Sequence, residues 1–207
     1  MAGRIIFLNG TSSAGKTTLA IALQEVLREP WLHMALDQFR DGLPARYRGL
    51  NAPVGSEGER GLNVVPVGGV TEVRFGDTGK QILKGMRRAI ASMAAAGNNV
   101  IIDDIILEPA FLDDYLRVFA PHQVYFVGVQ CPADVISERE AMRPGRFPGT
   151  AIGHLEVCHA HGCYDIEVDT SRLSPLECAQ VVAGHVEREQ PVAFRELIGR
   201  AGGSSQQ

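Results

Sequence analysis

Ile5-Ile6-Phe7-Leu8-Asn9-Gly10-Thr11-Ser12-Ser13-Ala14-Gly15-Lys16-Thr17-Thr18 joins an apolar run to a turn of small and hydroxyl residues that ends in Gly-Lys-Thr-Thr. Its apolar, β-branched start has the composition of a buried strand. Residues 10–17 fit the spacing G-x-x-x-x-G-K-[ST] of a phosphate-binding loop. After Thr18, the apolar residues Leu19, Ile21, Ala22, Leu23, Val26 and Leu27 recur at helical spacing. The motif therefore sits between a strand and a helix, the setting in which such a loop works.

The residue types follow from that chemistry. Gly10 and Gly15 let the backbone turn tightly and approach an anion. Successive N–H groups along Gly10, Thr11, Ser12, Ser13, Ala14, Gly15, Lys16, Thr17 and Thr18 then form a nest for phosphates. The helix N-terminus adds its partial positive charge. Lys16 is placed to reach β- and γ-phosphates, and the Thr17 hydroxyl to ligate Mg²⁺. ATP and Mg²⁺ are the expected cofactors.

With 207 residues and 45% apolar content, the chain suits one domain, or one domain with a small insertion. A net charge of −4 argues against broad electrostatic binding to nucleic acid. No apolar run approaches the ~20 residues of a bilayer span, and the run 5–8 is too short for a signal-peptide core. A cytoplasmic protein with no membrane or nucleic-acid partner is the expectation. Cys131, Cys158, Cys163 and Cys178 then read as free thiols. Cys158-His159-Ala160-His161-Gly162-Cys163 raises a zinc reading, but its spacing suits no known finger pattern.

Pro30 stops the first helix. Residues 32–36 read as a second strand ending at Asp37, whose carboxylate at a strand tip would point into the ligand crevice. Asp37 is the candidate general base; its other reading is a helix N-cap. Residues 41–76 change character, with frequent glycine, proline and arginine. Within them, 62–67, Gly68-Gly69 and 70–75 read as a β-hairpin, with Pro66 marking an edge strand. This insertion would lie over the phosphate site and bind the second substrate; a solvated surface loop is the alternative.

Residues 77–96 show helical periodicity through Ile82, Leu83, Met86, Ile90 and Met93. The strand-like run 100–104 ends in Asp103 and Asp104, where a carboxylate is needed to hold Mg²⁺ or its water ligands. Adjacent strand residues point to opposite faces, so one of the pair serves the metal and the other caps a turn. Residues 109–119 read as a helix, 124–129 as a strand and 133–142 as a helix. Arg139, Arg143 and Arg146 bracket Pro144-Gly145, as in a lid (139–150) that closes over a transferring phosphate. A basic face paired with Glu138 and Glu140 is the alternative. Residues 155–161 read as a further helix and 164–169 as the last strand, and Ser174-Pro175 opens a helix over 176–189.

Five parallel strands alternating with helices predict a doubly wound, three-layer α/β fold with helices on both faces and a small insertion after the second strand. The domain covers 1–190, and 191–207 reads as a C-terminal tail.

Leu8-Asn9-Gly10-Thr11-Ser12-Ser13-Ala14-Gly15-Lys16-Thr17 resembles the phosphate loop of the chloramphenicol phosphotransferase-like proteins. So do Glu29-Pro30-Trp31-Leu32, Asp37, the Ile-Ile-Asp-Asp run 101–104, Val127-Gly128-Val129, Arg139-Glu140 and Tyr164-Asp165-Ile166-Glu167-Val168-Asp169-Thr170. The matches extend from about residue 4 to 188. The resemblance implies an ATP-dependent P-loop kinase that phosphorylates a hydroxyl of a small molecule, as in the phosphorylation of chloramphenicol that inactivates the antibiotic. In it Asp37 matches the base, and Arg139, Arg143 and Arg146 match the lid. Residues 41–75, which should build much of the acceptor pocket, have no clear match to the family. A kinase for another antibiotic, a sugar, a nucleoside or a metabolite stays open. So does a nucleotide-binding regulatory protein without phosphotransfer, although no Asn-Lys-x-Asp guanine-reading motif occurs. Self-association into a homo-oligomer is left open.

Overall fold

The computed structural model describes residues 2–143, 147 and 149–203, with 201–203 as backbone only. Strand β1 (Ile5–Asn9) is buried throughout. The phosphate loop follows and runs into α1 (Lys16–Val26). β2 (Trp31–Ala35) passes directly into the short α2 (Leu36–Asp41). The insertion holds a single 3-10 turn, β3 (Arg48–Leu50), α3 (Glu57–Arg60), β4 (Leu62–Val67) and β5 (Val70–Phe75). Then come α4 (Asp77–Ala95), β6 (Asn99–Asp104), α5 (Pro109–Phe119), β7 (Val124–Gln130) and α6 (Ala133–Ala141). The chain ends with α7 (Thr150–His159), β8 (Ile166–Asp169), α8 (Pro175–Arg188) and α9 (Ala193–Gly203).

Five parallel strands form one sheet in the order β2-β6-β1-β7-β8. β1 is central and pairs on both edges, so both its faces are covered and it reads as a continuous apolar run. Alternation along it divides the core. Ile5 and Phe7 face α4, α5 and α9, and Ile6 and Leu8 face α1 and α8. The C-terminal tips of these parallel strands, with the loops that leave them, form one edge. Among the described residues no helix is long and apolar enough to cross a membrane.

Gly10 is required by packing as well as by the turn. A Cβ there would stand 2.5 Å from the carbonyl oxygen of Val129 on β7. Gly15 has φ +93°, a left-handed conformation that favours glycine. We expect Gly10→Ala to destabilise the fold by about 1–3 kcal/mol, because backbone must yield. That is a Tm drop of roughly 3–10 °C for a chain of this size. An unchanged Tm would mean that the loop is not wedged against β7.

The insertion is a small sheet ordered β3-β4-β5. β4 and β5 form the expected hairpin, with Gly68 at φ +55° and Gly69 at φ +92° in its two-residue turn. β4 is the middle strand rather than an edge. Pro66 is tolerated because β3 pairs only as far as Leu50↔Val64, two residues short of it. β3 and α3 are too short to leave a periodic signal.

Two other expectations are corrected. α7 begins at Thr150 rather than near 155, because its start is capped from another helix: Glu140 accepts hydrogen bonds from the N–H groups of Gly149 (2.7 Å) and Ala151 (2.9 Å). Glu140 is thereby turned inward and buried, away from a basic face. Residues 191–207, read as a tail, include α9. Its Phe194 packs edge-on to Phe126, with ring centroids 5.2 Å apart, and buries with Leu197 in the core.

Candidate active site

A cleft of about 1300 Å³ opens at the sheet edge, between the phosphate loop and the insertion. Its phosphate wall includes Ser12, Ser13, Gly15, Lys16, Thr17 and Thr18. Three expected loop positions do other work. Ala14 is buried, the Thr11 hydroxyl donates to the Ala151 carbonyl on α7, and Gly10 packs on β7. Their contribution to a bound anion is confined to the backbone.

Lys16 Nζ donates to the carbonyls of Gly10 and Thr11 at 2.9 Å each, and lies 3.9 Å from Asp103 Oδ1. Thr17 Oγ1 donates to Asp103 Oδ2 at 2.5 Å. Strand alternation selects Asp103. In the register Ile6↔Ile101 and Leu8↔Asp103, these residues share the face covered by α1. Asp104 turns to the other face, where it accepts hydrogen bonds from the Tyr115 hydroxyl and from the Ile105 N–H (2.7 Å).

The two carboxyls titrate in opposite directions. Burial pushes Asp103 up, but His33, the Lys16 charge and the Thr17 hydroxyl outweigh it, so its pKa lies below the usual range. At Asp104 burial dominates over the Tyr115 and Ile105 hydrogen bonds, and the pKa is raised.

Asp37 sits in the first turn of α2, two residues past the end of β2, and lines the same cleft. It is neither the strand tip nor the N-cap, which is Ala35. Arg40, one turn on, reaches Asp37 at 2.7 Å and Asp41 at 2.9 Å. Arg139 also lines the cleft, donating to Thr170 Oγ1 (2.9 Å) and Thr170 O (2.7 Å). Thr170 in turn donates to the Ala14 carbonyl at 2.7 Å, tying the turn after β8 to the phosphate loop. Arg143 lines the cleft, and Arg146 lies outside the described residues.

His33 and His154 also stand close to this site. His33 Nε2 is 3.6 Å from Asp103 Oδ2, a loose polar contact. Its signal was the register, since His33 pairs with Ile101 and Ala35 with Asp103, putting all four on one face. His154 lines the cleft from α7. The Cys158–Cys163 segment packs as a helix end. His161 stacks on Phe126 at 4.9 Å, and His159 Nδ1 lies 2.6 Å from the Tyr164 hydroxyl. All four thiols are free and buried. Among the described residues no group of three or more His, Cys, Asp or Glu is placed to hold a metal by itself. Mg²⁺ needs no such cage, since one or two oxygen ligands and substrate phosphates suffice. Thr17 and Asp103 supply a hard, all-oxygen donor pair of that kind.

A phosphate loop after the central strand, with an acidic tip on the neighbouring strand, defines a nucleotide-binding P-loop protein of the kinase type. The chain belongs to the chloramphenicol phosphotransferase-like family, whose model matches residues 3–187. It is 35% identical over 198 residues to a Mycobacterium tuberculosis protein named "Putative O-phosphotransferase", found in strains CDC 1551 and H37Rv; the match covers 94% of this chain and 88% of that one. In fold it is similar to the M. tuberculosis APS kinase in complex with AMPPNP and APS (TM-score 0.64, 17% identity, 90% of this chain and 98% of that chain). It is also similar to the tunicamycin resistance protein of Deinococcus radiodurans (TM-score 0.60, 18% identity, 91% and 98%).

Proposed function

We propose that this protein transfers the γ-phosphoryl group of ATP to a hydroxyl of a small molecule, in a Mg²⁺-dependent reaction. One observation carries the reading: a single cleft is lined by Lys16, Thr17, Asp103 and Asp37. Residues 10–18 cradle the phosphates, and Lys16 offsets the charge on their β- and γ-oxygens. Thr17 and Asp103 would hold Mg²⁺ or its water ligands. When bound, the ion would offset the negative charge that develops on the transferring phosphoryl group.

Asp37 accepts the proton of the acceptor hydroxyl as that oxygen bonds to the γ-phosphorus. The bond from γ-phosphorus to the bridging oxygen breaks, and ADP leaves with its electron pair. Arg139 and Arg143 steady the transferring group, a role that extends to Arg146 in the lid. The insertion 41–76 forms the acceptor wall and limits access of water, which would otherwise hydrolyse ATP. Membership of the family makes chloramphenicol the first acceptor to examine, with antibiotic inactivation as the outcome. Sugars, nucleosides and other antibiotics follow.

We expect ADP release to rise well above the hydrolytic background when a phosphorylatable alcohol is added, and to return to background with EDTA. Stimulation that survives chelation contradicts the metal dependence. A full panel of alcohols without stimulation, with ATP still bound, favours a nucleotide-dependent regulator.

A further inference from the structure

His154 lies one helical turn beyond Ala151 on α7, and the Ala151 carbonyl accepts the hydroxyl of Thr11. That face of α7 therefore rests on the phosphate loop. On its other side His154 meets the insertion, where the N–H of Val73 on β5 donates to Nε2 at 3.4 Å. His154 is only 6% exposed, and it lines the cleft. It stands where the phosphate half and the insertion half of the cleft join.

A backbone N–H can only donate, so Nε2 is the unprotonated nitrogen and the neutral ring carries its proton on Nδ1. Among the described residues Nδ1 has no hydrogen-bond partner, and it is not one of the enclosed unpaired nitrogens, as those of His33, His122, His159 and His185 are. Burial first, then the Lys16 charge, lower the ring's pKa to about 4, against a smaller opposing pull from Glu72. The ring is neutral under working conditions. Val73 and its cross-strand partner Val64, both lining the cleft, make the wall beside it apolar. An oxygen brought against that wall without a donor would give up its bond to water for nothing.

We infer that His154 determines acceptor specificity: its Nδ1–H donates to a second oxygen of the acceptor. The acceptor class is then an alcohol with an apolar body and a second, hydrogen-bond-accepting oxygen. An alcohol lacking that oxygen leaves the donor unpaired and is disfavoured. This inference rests on the phosphotransfer reading.

Two readouts test it. ¹⁵N spectra of the imidazole, assigned by the signal missing from His154→Gln, report tautomer and charge in the free protein. The Nδ1–H neutral form is expected between about pH 5.5 and 8. An Nε2–H tautomer, or a cation near pH 6, overturns the proposal. Kinetics with chloramphenicol, glucose and adenosine as probes give the second readout. His154→Leu should raise KM about tenfold for a phosphorylated probe carrying such an oxygen. KM for ATP and AMPPNP binding should stay at wild-type values, which also shows that the variant is folded. His154→Gln, which keeps an N–H donor, should recover most of the loss. An unchanged acceptor KM in His154→Leu overturns the proposal. If wild type phosphorylates none of the probes, the phosphotransfer reading fails for them, while the tautomer spectra still decide whether His154 presents the donor.

Discussion

Asp37→Asn is expected to lower kcat by roughly 10²–10⁴-fold, the usual worth of a general base. ATP affinity and Tm should stay close to wild type. The separation follows from geometry. The Asp37 side chain is 45% exposed, and its bond to Arg40 joins two partly exposed groups. Exposed ion pairs contribute only about 0–1 kcal/mol to folding. Asn keeps the shape and one hydrogen-bond acceptor, but it cannot take a proton from the acceptor hydroxyl. Asp37 belongs to α2 rather than to the phosphate loop, whose Lys16 and Thr17 meet Asp103, so ground-state nucleotide binding should change little. A variant with near-wild-type turnover would remove Asp37 from the role of base. A variant with weakened ATP binding and intact kcat would place it on the nucleotide side instead.

Asp103→Asn should act on the metal. Removing one ionic oxygen that orients Mg²⁺ is expected to raise the Mg²⁺ concentration for half-maximal rate by about 10–100-fold. The rate at saturating Mg²⁺ should fall by roughly 10²–10³-fold, because charge on the transferring phosphoryl is less well offset. The Thr17 hydroxyl, 2.5 Å from Asp103, would keep a hydrogen bond to the amide oxygen, so the local structure should persist. Asp104→Asn is the informative contrast. Asp104 is enclosed with Tyr115 and the Ile105 N–H on the opposite face of the strand. Its substitution should change stability and leave the Mg²⁺ dependence unmoved. A shift in Mg²⁺ dependence for Asp104→Asn and none for Asp103→Asn would reverse the assignment.

Much of this arrangement is legible in the residues. The phosphate loop is local chemistry, and the apolar runs 5–8, 100–102 and 124–129 can only be strands buried on both faces. The choice between Asp103 and Asp104 needed the register. Alternation says that one of them faces the loop, but only the pairing Leu8↔Asp103 says which. His33 was missed for the same reason, since its neighbour Asp103 is remote in sequence. The hairpin 62–75 was visible through Gly68-Gly69, whereas β3 and α3 are held by tertiary contacts and left no pattern. Residues 191–207 read as a tail because their polar end dominates; the anchoring of α9 depends on Phe194 reaching an aromatic cluster that forms only in the fold. His154 was legible least of all. Its place depends on β5 and the phosphate loop meeting at α7, a conjunction of three segments far apart in sequence.

In the proposed reaction one cleft passes phosphate from ATP to an alcohol. The most direct test follows labelled γ-phosphate from Mg-ATP into chloramphenicol, aminoglycosides, nucleosides and sugars, with Lys16→Ala beside the wild type. Label is expected on an alcohol oxygen of at least one acceptor with wild type, and on none with Lys16→Ala. Label transferred equally well by Lys16→Ala would contradict it, because the chemistry would then lie outside the phosphate loop.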